Sequence, residues 1–228
     1  MRYWIFSLFF LFSLSASEFD SLWIIEENFL QLGKKETYEK YAKELRKEFA
    51  KQYRFPTFAY QEIDGEEYIY LTPVKGFRDA GIFLMQWEQF MRSLPPQTFL
   101  PYTNSLNFTI KTMHGYLETC SYTPNRKGKD SSYPYAYFYM VNIEPAYAND
   151  LEAHLNTLSQ QQRDAHSSVC FKTWKEIIGC ELPRYVIALF GSSEKEMDQF
   201  SFITPKLKEV INKQTIQKTR MQKNLSFQ

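Results

Sequence analysis

The sequence predicts an α+β fold in which one structural unit is used twice and the sheet is covered on both faces. Three observations carry this. The order strand, amphipathic helix, two strands runs from Leu22 to about Val74 and recurs from Tyr135 to about Phe190. The internal spacing repeats as well: Tyr38 to Phe58 and Leu151 to Phe171 are both 20 residues, and Tyr60-Gln-Glu-Ile63 echoes Trp174-Lys-Glu-Ile177. Finally, the first strand of each copy is apolar on both sides, whereas a sheet with one wet face alternates apolar and polar residues. Self-similarity at a fixed period is the signature of a repeated unit.

The chain opens with a leader. Arg2 precedes Tyr3–Leu14, where Ser7 and Ser13 are the only polar residues, and the small residues Ser15, Ala16 and Ser17 lead into Glu18 and Asp20. This is signal-peptide grammar, with residues 1–17 removed near Ala16 or Ser17. The apolar run is shorter than the roughly 20 residues a bilayer span needs. The expectation is an exported soluble protein, periplasmic or secreted, with no membrane span in the mature chain. An uncleaved anchor is the competing reading.

Arg2 is the leader's only charged residue, so the mature chain would carry 26 Lys and Arg against 26 Asp and Glu. That balance offers no global field for nucleic acid or a membrane surface. Charge is nevertheless uneven. From Pro205 onward six basic residues stand against Glu209 alone.

In the first copy, spanning residues 18–96, Leu22–Phe29 reads as a strand and Gly33 breaks it. Tyr38, Tyr41, Ala42, Leu45 and Phe49 then recur at helical spacing among Lys and Glu, the pattern of an amphipathic helix. Thr57–Ile63 and Tyr68–Thr72 form a hairpin around Asp64-Gly65, a strong turn signal. Asp79–Arg92 reads as a second helix, stopped by Pro95-Pro96.

A connecting segment, 97–134, holds Leu106–Ile110 and Tyr116-Leu117, material for a further strand or short helix, and a polar loop at Asn125–Ser132. The second copy, 135–204, repeats the order: strand Tyr135–Ile143, helix around Leu151, Leu155 and Leu158, hairpin strands Val169–Ile178 and Tyr185–Phe190, then a short acidic helix after Ser192-Ser193. Residues 205–228 read as a short basic helix and a tail. Beyond about Gln214 the apolar residues scatter, and the expectation is a frayed end dispensable for folding.

A strand–helix–hairpin–helix unit with two-faced strands, and segments such as Tyr185–Phe190, resembles the ferredoxin-like module of the dimeric α/β-barrel superfamily. The resemblance covers roughly residues 22–93 and 135–204. That superfamily includes antibiotic-biosynthesis monooxygenases, haem-degrading monooxygenases and stress-responsive barrels. The chain is especially similar to its exported tandem members, of uncharacterised type. The resemblance implies two ferredoxin-like modules packed sheet to sheet as an intrachain pseudo-dimeric α/β barrel. It also implies comparison with an Asn on the first strand and a Trp elsewhere, here Asn28 with Trp87 or Trp174. No histidine in the first copy's second helix matches the accompanying His.

No nucleotide-binding, metalloprotease or serine-hydrolase motif is present. His114, His154 and His166 have no second ligand at zinc spacing, so no metal is expected. His166, near the end of its helix, suits a positive charge at a C-terminus. Tyr133, Tyr135, Tyr137 and Tyr139 form a period-two stripe. Tyrosine joins apolar bulk to a polar tip, so the stripe suits a pocket lining, and packing explains it equally well. The candidate pocket is Tyr137, Tyr139 and His154, with Asn28.

Cys120, Cys170 and Cys180 match no metal or redox spacing. Cys170 in a strand and Cys180 in the next turn are too far apart to bridge. Either Cys120 pairs with one of them or all three are thiols.

With no catalytic constellation, the expected function is an exported protein that binds a small ligand or a protein partner. The alternative is a barrel-type monooxygenase or haem-binding protein with a pocket at the barrel interior. The cofactor stays open.

Overall fold

A computed structural model describes residues 22–53, 55–97, 109–123, 133–179, 183–200, 204–223 and 225–226, with side chains omitted along most of 109–123. The leader, the loop Asn125–Ser132, Cys180 and the side chain of Cys120 lie outside the described residues. No described helix is long and apolar enough to cross a membrane.

The elements follow the sequence pattern. Strand β1 is Leu22–Leu30, α1 Lys35–Gln52, β2 Phe58–Glu62, β3 Glu67–Val74 and α2 Phe77–Ser93. Strand β4 is Thr109–Thr123, so the connecting segment supplies a strand of 15 residues. Then come β5 Tyr135–Ile143, α3 Ala148–Asp164, β6 Cys170–Ile178, β7 Arg184–Gly191, the short helices α4 Glu194–Asp198 and α5 Pro205–Val210, and β8 Ile211–Met221. Helices α4 and α5 start on side-chain caps: Ser193 and Thr204 accept from the backbone N–H of Glu196 and Leu207, each satisfying an otherwise orphaned donor.

The strands close into an antiparallel barrel in the order β1-β3-β2-β8-β5-β7-β6-β4. The first half supplies β4-β1-β3-β2 and the second β8-β5-β7-β6, the same cyclic order twice. The halves join where β2 meets β8 and β6 meets β4. This explains the two-faced strands. The outer face of the sheet meets helices, and the inner face meets the opposite wall of the barrel.

Eight strands enclose a space just wide enough for side chains to fill. Trp23, Ile25, Tyr60, Ile69, Leu71, Phe138, Met140, Trp174, Val186 and Phe190 fill it. Their rings pack edge to face, Tyr60 on Phe138 at 5.1 Å and Trp23 on Trp174 at 5.6 Å between centroids, the arrangement aromatic quadrupoles prefer. Buried Cys170 belongs to this interior.

The expectation of a frayed tail is overturned. Strand β8 pairs with β5 from Tyr135↔Arg220 to Ile143↔Ile211 and with β2 at Tyr60↔Met221. Gln217, Thr219 and Met221 are buried while Lys218 and Arg220 are exposed. The segment reads as polar because two of its three inward residues are Gln and Thr. It closes the barrel.

Candidate functional site

The outer faces of β1 and β3 carry an unusual set of side chains under α1. Along β1 the outward residues run Leu22, Ile24, Glu26, Asn28, Leu30. On β3, Tyr70 and Tyr68 stand opposite Glu26 and Asn28 in register. Helix α1 covers them with Tyr38, Ala42, Leu45, Arg46 and Phe49, positions that recur every three or four residues and so share one helix face.

Arg46 is the informative member. Its position on α1, between Leu45 and Phe49, turns it inward. Its guanidinium lies 3.6 Å from the centre of the Tyr70 ring and 3.6 Å from Glu26 Oε1. A buried cation needs a paired charge, and here the pairing is joined by a cation–π stack, which is worth more as water is excluded. Asn28 Nδ2 donates to Glu26 Oε1 at 2.5 Å and to the Tyr38 hydroxyl at 3.2 Å. The hydroxyls of Tyr38 and Tyr70 are 3.0 Å apart. Trp87 of α2 closes the group, 5.8 Å from Arg46. His114 of β4 is the register partner of Glu26 on the other side of β1.

The protonation states follow. Burial holds the Tyr38 hydroxyl well above its ordinary value, with Tyr70 adding to the effect. Burial pushes Tyr70 up to about 12, although Arg46 opposes it. Both hydroxyls are therefore hydrogen-bond donors at neutral pH. Glu26 is the member open to solvent, its side chain 31% exposed against 9% for Arg46. The layer between α1 and the sheet, the first-half groove, thus packs a part-exposed carboxylate, a fixed cation beside it, and an amide and two hydroxyls buried behind.

The candidate residues from the sequence are divided between the halves. Asn28 lies in this first-half groove. Tyr137 and Tyr139 stand on the outer face of β5 with Leu151 and Leu155 of α3, while Ala136, Phe138 and Met140 of the same strand point into the barrel. His154 lines a cleft of about 160 Å³ with Tyr147, Asp150, Thr204, Leu207 and Val210. Asn28 and the other three do not converge. Of the two tryptophans compared with Asn28, Trp87 shares its groove and Trp174 is in the barrel interior. His166 follows α3 and its Nδ1 meets the Arg163 carbonyl at 3.0 Å, a local helix-end contact.

A haem does not fit at His154. Haem needs an axial ligand and a pocket to enclose the macrocycle. The cleft is below the roughly 300–1,000 Å³ usual for ligand and cofactor sites. No group of three metal-ligating side chains occurs among the described residues.

Sequence reasoning missed Glu26, Tyr38 and Arg46 as a unit. The available signal was Glu26 and Asn28 in an otherwise apolar strand. Arg46 gave none, because a basic residue in an amphipathic helix reads as part of its wet face.

No family model and no curated protein matches the sequence. Solved structures do. An anthrone oxidase-like protein aligns at TM-score 0.64 and 10% identity, over 90% of this chain and 92% of that one. A protein assigned as a monooxygenase from Lactobacillus acidophilus aligns at 0.58 and 11%, over 88% and 93%. A chlorite dismutase variant from Candidatus Nitrospira defluvii aligns at 0.54 and 11%, over 90% and 92%. At these identities the likeness establishes the fold, which is that of the dimeric α/β barrels. These neighbours, all named for enzymes, overturn the expectation of a non-catalytic binding or interaction protein. Their names fit the alternative expectation, a barrel-type monooxygenase or haem-binding protein, better.

Proposed function

We propose that this chain is a cofactor-independent oxygenase or oxidase of the dimeric α/β-barrel type, built as an intrachain pseudo-dimer of two ferredoxin-like modules. Its reaction site is the first-half groove of Glu26, Asn28, Tyr38, Arg46, Tyr70 and Trp87. The observation that carries this reading is Arg46, held between Glu26 and the Tyr70 ring beneath a helix. A cation beside a carboxylate suits removal of a proton from carbon. The carboxylate takes the proton, and the guanidinium stabilises the enolate left behind.

The substrate class is a polycyclic aryl ketone with an acidified methylene, of the anthrone type. Glu26 takes one methylene proton, and Arg46 with the Tyr38 and Tyr70 hydroxyls holds the enolate oxygen. The carbanion adds O₂ to give a hydroperoxide. Loss of water, which carries off the second methylene hydrogen, leaves the carbonyl. One O₂ is consumed and one water formed per quinone, with no external reductant.

The test is oxygen uptake with anthrone by the wild type and by Arg46→Met. Uptake matched one to one by quinone, lost by about 10²–10³ in kcat in the variant, is expected. A wild type that consumes no oxygen with ketones of this class overturns the reading.

We propose in addition that residues 1–17 direct export of the chain. N-terminal sequencing of the mature protein should begin near Ser17 or Glu18, and an intact Met1 in a membrane fraction would refute it.

A further inference from the structure

Helix α2 departs from the rule that the other long helices keep. A surface helix turns its apolar stripe to the core and its polar face to water. The exposed positions of α1 include Lys40, Lys43, Glu44 and Lys47, and those of α3 include Asn156, Thr157, Gln160 and Gln161. Helix α2 is docked as they are: Ala80 packs with Leu22, Ile24 and Val74, and Phe90 with Leu45 and Phe49. Its outer side is nevertheless apolar. Seven large apolar side chains are exposed among the described residues, and three of them, Phe77, Leu84 and Met85, stand on α2. Leu84 is 45% exposed and Met85 51%. Such residues scattered singly are ordinary, whereas neighbours on one face mark a contact surface.

Gly81 stands on the same face. A Cβ built there meets nothing within 4 Å, so no neighbour inside the chain calls for glycine. Glycine in a helix interior is less stable than alanine. What it leaves is a notch in the apolar stripe, into which a large side chain can fit. Two charges flank the notch. Arg78 precedes it, and Glu88 lies beyond Met85, paired with Arg92 of its own helix at 2.5 Å. Arg78, Gly81, Leu84, Met85 and Glu88 recur at steps of three and four residues and so share one side of the helix.

We propose that this side of α2 is a homodimer interface, occupied by the same side of α2 from a second copy of the chain running antiparallel. The pattern is self-complementary. A two-fold axis level with Phe83 sets Gly81 of one copy opposite Met85 of the other, and Arg78 opposite Glu88. Each pair then occurs twice, as an isologous contact requires. Met85 fills the notch, the two Leu84 side chains meet beside the axis, and Glu88 lies between Arg92 of its own helix and Arg78 of the other. A parallel pairing would set Arg78 against Arg78 and Glu88 against Glu88, so charge selects the antiparallel arrangement. The contact is one helix pair, smaller than the roughly 1,200–2,000 Å² of stable complexes, and the dimer is therefore weak and reversible. None of its five residues belongs to the reaction groove, so the inference is independent of the oxidation proposed above.

The experiment is sedimentation velocity of the full chain from low to high micromolar concentration, where the average mass should climb from one chain toward two. Arg78→Glu and Glu88→Arg each set like charges across the axis and should weaken association by roughly tenfold or more. An equimolar mixture of the two variants should recover it, because both cross-pairs are then opposite in sign. Gly81→Ala should raise the thermal midpoint of the dilute chain and yet weaken association. Leu84→Ser should weaken association and leave the dilute midpoint nearly unchanged. All four positions are exposed, so the variants should fold. A single-chain mass at every concentration, association that survives both charge variants, or a mixture that stays monomeric would overturn the proposal. So would a Leu84→Ser chain with a lowered dilute midpoint and unchanged mass, since the chain itself would then cover the stripe.

Discussion

The two outer grooves of the molecule share a scaffold and differ in chemistry. In the first half, Glu26 and Asn28 of β1 face Tyr70 and Tyr68 of β3. At the matching register of the second half, Tyr139 and Val141 of β5 face Ile187 and Tyr185 of β7. Helix α1 inserts Tyr38 and Arg46. Helix α3, in step through the shared 20-residue spacing, inserts Leu151 and Ser159. The second groove is more apolar but not wholly so: Tyr185 donates to Glu152 of α3 at 2.6 Å, as Tyr68 donates to Glu39 of α1 in the first, Lys175 pairs with the same Glu152, and Ser159 accepts a hydrogen bond from Arg163. The first buries a cation, an amide and two phenols at the same places. The proposed reaction site rests on that difference: the buried cation, the amide and the paired phenols occur in the first groove and not at the matching places of the second.

The largest effect expected concerns the seam between the halves. Ending the chain after Val210 removes β8 and with it the ladders to both β2 and β5. The barrel opens, two edges are exposed, and inward residues from Tyr60 to Phe138 meet water. Such a chain should show no cooperative thermal transition. A truncated chain that melts like the full one would show that the halves do not depend on closure.

Next comes a transplant between grooves. Ser159→Arg puts a guanidinium where the second half has Tyr139 in place of Glu26. A buried charge without a partner costs about 3–5 kcal/mol, which corresponds to roughly 10 °C in the midpoint for a chain of this size. Adding Tyr139→Glu to that variant should recover part of the loss. Equal stability of the single and double variants would mean that the two grooves are not equivalent.

The sequence disclosed the scaffold more readily than the site, for physical reasons. Periodicity is a property of many residues together, so the helices α1, α2 and α3 and the hairpins β2–β3 and β6–β7 were legible despite poor identity between the copies. The two-faced strands Leu22–Ile25 and Tyr135–Val141 announced a closed sheet. Strand β8 was hidden because Gln217 and Thr219 face inward toward polar company, which erases the apolar alternation. Arg46 was hidden because burial of a charge is decided by its partners, and Glu26 is 20 residues away in sequence. The tyrosine stripe was legible as a buried array. That Tyr137 and Tyr139 lie under α3, with Phe138 taking the interior, depends on which face of β5 the barrel closes over.

A smaller effect comes from Glu67 of β3, buried in the barrel near Glu27 and outside both grooves. The folded-state value of Glu67 is raised to about 8 from an ordinary 4.5. Between those values the folded chain binds more protons than the unfolded chain, so stability should fall as pH rises from about 4.5 to about 8 and level off above. Glu67→Gln should remove this slope and raise the midpoint by a few degrees at pH 8.5. A slope unchanged in Glu67→Gln would assign it to another group.

The smallest expected effect is at the hydroxyls. Tyr38→Phe removes the acceptor of the Asn28 amide and the partner of Tyr70, at a cost of about 1 kcal/mol. Tyr139→Phe should cost less. Reversal of that order would place the polar network in the wrong half.

The most direct test of the account compares oxygen uptake with anthrone by the wild type, Glu26→Gln and Tyr139→Phe, the first variant altering the groove on β1 and the second its counterpart on β5. The account predicts one O₂ consumed per quinone in the wild type. In Glu26→Gln, kcat should fall by about 10²–10⁴ with little change in KM, as loss of a general base requires, and Tyr139→Phe should match the wild type. Full activity in Glu26→Gln, or a loss confined to Tyr139→Phe, would contradict it.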